Sequence, residues 1–145
     1  MKNVNEITFQ ETLLVRQAVL RTGKPIETCF FDGDYLLETK HFGIMANQKI
    51  IGVVSVFQNK NTNFNNPNQY QIRGMAILNE HQNKGYGKIL LMQCETYVSK
   101  TKNSLAWFNA RQTAIGFYEK LGYKTFGIPF NIQNIGIHYL MFKNL

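Results

Sequence analysis

The segment that most constrains this chain is an apolar strand, a polar turn, a Gly-x-Gly and an amphipathic helix in direct succession. Tyr70 to Leu78 reads as a buried strand. Asn79 to Lys84 is polar, Gly85 and Gly87 follow, and Gly85 to Lys100 is helical, with Leu90, Leu91, Cys94 and Val98 on one face. Glycines at such a junction let bare backbone N–H groups approach an anion, and the helix dipole favours negative charge there. The turn is not a Walker A loop, because Ile89 follows Lys88 where Ser or Thr is needed. It is not a dinucleotide fingerprint either: Leu90 stands at the third glycine, and no acidic residue opens a second βαβ unit. Taken alone, Gly-x-Gly is explained equally well by a structural turn.

Around this junction the chain reads as mixed α and β. Thr8-Phe9-Gln10-Glu11 matches a capping box. Leu14, Val15, Ala18 and Val19 continue it as a helix that Gly23 and Pro25 end, and a short strand precedes Thr8. Cys29 to Thr39 is loop with one helical turn. Residues 41–46 and 50–57 are strands joined through Asn47-Gln48-Lys49 as a hairpin. Residues 59–68 hold six asparagines and Pro67, a surface loop long enough to suggest mobility. Then come a strand at Ser104 to Phe108, a helix from Arg111 to Leu121 striped by Ala114, Phe117, Tyr118 and Leu121, a cap at Gly122, and strands over 123–126 and 137–142.

A length of 145 residues fits one domain, 1–145, and 44% hydrophobic residues supply a core. Two cysteines, Cys29 and Cys94, make no disulfide framework and read as free thiols of a reducing compartment. No apolar leader precedes the first helix and no apolar run reaches membrane-spanning length, so a cytoplasmic protein is expected. The net charge of +7 favours anionic partners. The lysines are scattered, however, and lack the interleaved aromatics of a nucleic-acid binder. A phosphate-rich small ligand suits the same field. The sequence leaves oligomeric state open, a homodimer included, and shows no Cys/His or His/carboxylate spacing for a metal.

The run Met75-Ala76-Ile77-Leu78-Asn79-Glu80-His81-Gln82-Asn83-Lys84-Gly85-Tyr86-Gly87 resembles the acetyl-CoA signature of the GNAT N-acetyltransferase superfamily. Downstream, Asn109-Ala110-Arg111 through Phe117-Tyr118-Glu119-Lys120-Leu121-Gly122-Tyr123 resembles the superfamily's second conserved segment. The match departs at Asn79, where many members carry proline. The resemblance implies an α+β fold: a mostly antiparallel, splayed mixed sheet of six to seven strands flanked by about four helices. It also implies acyl transfer from acetyl-CoA to a primary amine without an acyl-enzyme, so neither cysteine is needed as nucleophile.

By the same resemblance, backbone groups of Met75, Ala76 and Ile77 would pair with the pantetheine arm. Gln82, Asn83, Lys84, Gly85, Tyr86, Gly87 and Lys88 would cradle the pyrophosphate, and Tyr118 would protonate the departing thiolate. Tyr118 also lies on the helix stripe, so a core role stays open. Asn109 would contact CoA, with a helix N-cap as its rival. For the base, His41, His138 and, through water, Glu80 are candidates; a structural histidine is the bland alternative for both imidazoles. Arg73, inside an apolar strand, and Arg111, seven residues before Tyr118 on one expected helix face, are candidate substrate-binding cations, against structural ion pairs. If both face the cleft, the small-molecule amine carries an anionic group. A non-catalytic acyl-CoA-sensing domain and a peptide N-acetyltransferase remain as alternatives.

Overall fold

The computed structural model describes residues 3–145. Its elements are β1 (Val4–Ile7), α1 (Leu13–Leu20), β2 (Lys40–Ala46), β3 (Lys49–Phe57), β4 (Asn68–Ile77), α2 (Tyr86–Val98), β5 (Ser104–Arg111), α3 (Ile115–Lys120), β6 (Lys124–Ile132) and β7 (Gly136–Asn144). Short 3₁₀ turns occupy Gln10–Thr12, Ile26–Cys29, Asn79–His81 and Gln112–Ala114. The seven strands form a mixed sheet of an α+β fold. Three α-helices stand among the described residues where about four were expected. The chain gathers into two compact units, one running to Gln58 and resuming over Ile72–Tyr97, the other comprising Asn59–Gln71 and Val98–Leu145.

In the first unit β1, β2 and β3 pair antiparallel. Asn47 and Gln48 both adopt positive φ, 51° and 63°, the signature of a two-residue hairpin turn, so Lys49 belongs to β3 and not to the turn. The capping box forms: Thr8 N donates to Glu11 Oε1 at 2.9 Å and Glu11 N to Thr8 Oγ1 at 3.3 Å. The helix behind it presents a different face from the one expected. Leu14 is 75% exposed and Ala18 is exposed, while Thr12, Val15 and Arg16 are buried. Val15, Val53 and Ala76 form a core cluster, with Ile7, Val19, Leu20, Ile50 and Leu78 packed against it. On α2 the expected stripe holds: Leu90, Leu91, Cys94 and Val98 are all buried. Burial of each leucine contributes roughly 1.5–3 kcal/mol.

In the second unit Asn68–Gln71 of β4 pair parallel with Ser104–Trp107 of β5, and β5–β7 and β7–β6 pair antiparallel. The asparagine-rich loop is tied down despite its length. Gln69, buried, accepts from Asn61 N and donates to the carbonyls of Phe64 and Asn66, and Trp107 Nε1 donates to Asn59 O at 3.0 Å. β5 runs through Arg111, three residues beyond expectation, so the helix after it is shorter than read from sequence. A Schellman motif closes α3: Tyr123 N donates to Tyr118 O and Gly122 N to Glu119 O.

Candidate functional site

The turn that follows β4 is built to expose amides. Leu78 N donates to Ile51 O at 2.8 Å, so the main chain of Leu78 faces β3. Strand alternation then points the main-chain groups of Met75 and Ile77 to the opposite edge, and those of Ala76 toward β3. Gln82 clamps the turn: its Nε2 donates to Ile77 O at 2.9 Å and to Asn79 Oδ1 at 3.1 Å. Asn83 and Gly85 take positive φ, 62° and 86°. Nothing lies within 4 Å of a Cβ built on Gly85, so that glycine serves backbone conformation and an open approach. The first main-chain bond of α2 is Ile89 N to Gly85 O at 3.3 Å. Among the described residues, the amides of 83–88 find no backbone acceptor. Six successive donors at the positive end of a 13-residue helix, flanked by the exposed Lys84 and Lys88, make an anion cradle.

Upstream on β4, Gly74 has φ +67° and breaks the strand's alternation. Arg73 therefore does not share a face with Met75 and Ile77, as regular alternation predicts. Its guanidinium lies over the rings of Phe31, 4.4 Å from the centroid, and Phe57 at 5.8 Å. Ala76 packs on Val15, whereas Ile77 lies toward Gly52 and Leu90. A Cβ on Gly74 would meet the Phe31 ring at 2.7 Å, so only glycine fits there.

Beneath Phe31 lies a buried network that sequence reasoning missed. Arg16, 0% exposed, donates from Nη1 to Asp34 Oδ2 at 2.7 Å and to Cys29 O, and from Nη2 to Asp34 Oδ1 and Ser55 Oγ, both at 3.0 Å. Phe31 N also donates to Asp34 Oδ2 at 2.8 Å. His41 belongs to this network. Its Nε2 donates to Asp34 O at 2.9 Å, so in the neutral ring Nδ1 accepts from the Ser55 hydroxyl at 2.6 Å. Burial lowers its pKa, with Arg16 adding to the effect against the pull of Asp34. Both ring nitrogens are engaged, which makes His41 a structural histidine and not a free base. The signals were present in the sequence: a charge inside Leu13-Leu14-Val15-Arg16 and a hydroxyl inside Val53-Val54-Ser55-Val56.

In the second unit, Phe108 and Tyr118 lie on one face of the sheet, their centroids 4.4 Å apart, with Phe117 and Tyr123 also against the Tyr118 ring. Asn109 points to the other face and lines a cavity of about 410 Å³ with Asn61, Asn63, Phe126, Ile128 and Phe130. Asn109 sits within β5, paired with Leu140, which removes the helix-cap alternative; the residue preceding α3 is Ala114. Arg111 is the last residue of β5, opposite His138, so it cannot share a helix face with Tyr118. His138, buried, donates Nδ1–H to Gly136 O at 2.8 Å, which leaves the lone pair on Nε2. Cys94 is fully buried and its thiol pKa is pushed up by desolvation, as befits a core residue. Among the described residues no three His, Cys, Asp or Glu side chains gather as a metal site, and no helix is long and apolar enough to cross a membrane.

Residues 11–123 match the model of the acetyltransferase (GNAT) family. The chain is 30% identical over 145 residues to the uncharacterized N-acetyltransferase YitI of Bacillus subtilis (strain 168), covering 100% of this chain and 97% of that one. Among solved structures, Escherichia coli ElaA superposes with a TM-score of 0.77 at 15% identity, covering 99% of this chain and 100% of that chain. Arabidopsis thaliana Naa50, in complex with the bisubstrate analogue CoA-Ac-MVNAL, gives 0.71 at 16% identity and 99% coverage of both. At these identities the two structures speak to the fold alone.

Proposed function

The chain belongs to the acetyltransferase (GNAT) family, and from that premise we propose that it acetylates the primary amine of a small molecule by direct attack on acetyl-CoA, with Tyr118 as general acid. The observation that carries this reading is the row of amides over residues 83–88 that find no backbone acceptor among the described residues, which suits a pyrophosphate in charge, shape and access. The outward main-chain groups of Met75 and Ile77 suit the amide-bearing pantetheine arm, and Asn109 offers a further polar contact.

In this account the neutral amine forms the new C–N bond to the acetyl carbon while the C–S bond breaks. Sulfur leaves with the bonding pair and takes the phenolic proton of Tyr118. The packing of Phe108, Phe117 and Tyr123 supports such a role, because it restricts the ring that must deliver the proton. His138 has its Nδ1 fixed on a carbonyl, but it pairs with Arg111 and so lies on the Asn109 face of the sheet, away from Tyr118; the amine's proton therefore leaves through water. His41 is set aside on its hydrogen bonding, and Glu80 has no such fixed geometry. The test is thiol release from acetyl-CoA over a panel of small amines, peptides and aminoglycosides. Release with small amines is expected. Release with peptides alone would overturn the small-molecule reading, and none with any amine would overturn transfer to amines.

A further inference from the structure

Arg73 is a half-buried guanidinium without an anion. Among the described residues nothing accepts a hydrogen bond from it, and no carboxylate lies within salt-bridge reach. Two carboxylates act on it from beyond salt-bridge reach: Asp32, which is exposed to solvent, and Asp34, which is already filled, since Arg16 takes both its oxygens and Phe31 N a second position on Oδ2. Arg16 also sits over the Phe31 ring, 3.9 Å from its centroid, so the two cations share one aromatic shelf. The contact with the Phe31 ring occupies none of the five N–H donors of the Arg73 guanidinium. Burial, followed by the Arg16 charge, lowers the pKa of Arg73, yet a guanidinium remains protonated at neutral pH. Burying such a group without a partner is unfavourable, and a bound oxyanion relieves it.

Position says which oxyanion. Arg73 precedes Met75 by two residues on β4, roughly 7 Å of strand. The pyrophosphate cradle lies at residues 83–88, beyond the end of β4, so Arg73 stands apart from it. From this geometry we infer that Arg73 is the anion receptor of the acceptor site: the amine acetylated by this chain carries a carboxylate or phosphate, gripped in a fork by Arg73 against Phe31. The inference rests on the transferase reading above and narrows its substrate class to compact, amino-acid-like amines. Polyamines and aminoglycosides offer such a receptor nothing to bind.

The experiment compares kcat/KM for matched pairs: glycine and β-alanine against their amides, and O-phosphoethanolamine against ethanolamine. Losing one charged hydrogen-bonding partner is worth roughly tenfold to a hundredfold. The acid members are therefore expected to lead by that factor, and the carboxylate and phosphate arms show which oxyanion is preferred. Arg73→Gln should bring each pair close to parity, and Arg73→Lys, which keeps charge but not the fork, should fall between. Equal reaction of the neutral partners in wild-type protein would overturn the inference, as would a preference that survives in folded Arg73→Gln. Binding is read separately by NMR from the Arg73 Nε–H resonance, assigned by its loss in Arg73→Gln. N-acetylglycine or O-phosphoethanolamine should move it, and N-acetylglycinamide should not. A resonance unmoved by both anions refutes the receptor whether or not any amine turns over. A moved resonance with no turnover keeps the receptor and refutes the transfer.

Discussion

Asp34→Ala should unfold this protein more readily than any single surface change, and the structure sets the size of the effect. The substitution removes the acceptors of Arg16 Nη1 at 2.7 Å, Arg16 Nη2 at 3.0 Å and Phe31 N at 2.8 Å. Arg16 has no exposure, so its charge keeps only Cys29 O and Ser55 Oγ as neutral partners. Its Nε already lacks an acceptor. Summing three charge-assisted bonds overstates the loss, because the space vacated by the carboxylate admits water. Breaking a buried pair from one side costs about 3–5 kcal/mol. Against a total stability of about 5–15 kcal/mol that is a large share. It corresponds to a fall in Tm of roughly 6–20 °C for a chain of this size. Urea unfolding followed by fluorescence of Trp107 measures it. Arg16→Met combined with Asp34→Leu should recover most of the loss, since the double change leaves no buried charge. A loss below about 1 kcal/mol for Asp34→Ala would refute the view that this pair holds α1 to the 29–34 loop. Because Asp34 also fixes Phe31, the variant should lose acid-over-amide selectivity as well.

Tyr118→Phe should retain acetyl-CoA binding and lower kcat by about 10²–10⁴-fold, since only the phenolic proton is removed; equal turnover at matched pH would take Tyr118 out of the mechanism. For His41, the folded pKa lies below the ordinary 6.5, so between the two values the unfolded chain binds the proton more tightly. This contribution is complete above about pH 6.5 and is lost as pH falls, at up to about 1.4 kcal/mol per pH unit. Stability curves of wild type and His41→Gln should diverge in that window, and parallel curves would count against a neutral His41. Leu90→Ala, on the fully buried face of α2, should cost about 2–5 kcal/mol in denaturant unfolding.

The features legible in the sequence are those written in local chemistry. The turn from Gln82 to Gly87, the buried stripe of α2, the capping box at Thr8 and the C-cap at Gly122 each follow from residues within a few positions of one another. The misreadings came where tertiary structure overrode the local pattern. β5 carries on through Asn109, Ala110 and Arg111 because β7 pairs with all three, and no spacing in those residues announces it. The reversal of face at Arg73 depends on one torsion at Gly74, which alternation alone does not reveal. The network of Arg16, Asp34, His41 and Ser55 joins positions up to 39 residues apart, so its members looked like isolated polar intrusions. Leu14 misled because its spacing suits a stripe whose true centre is Val15 and Arg16.

The measurement that bears most directly on the account is acetyl-CoA-induced thermal stabilisation in wild type and Gly87→Glu, with S-acetyl-pantetheine as the comparison ligand. At a hundredfold excess over Kd, binding should stabilise wild type by about 2.7 kcal/mol. Acetyl-pantetheine, which lacks the pyrophosphate, should give far less. A glutamate in the first turn of α2 complements the helix dipole and replaces a poor helix former, so the variant should fold at least as well as wild type. Its carboxylate would occupy the anion cradle, and the response to acetyl-CoA should disappear. An undiminished shift in folded Gly87→Glu, or equal shifts from the two ligands in wild type, would contradict the assignment of residues 83–88 as the pyrophosphate site.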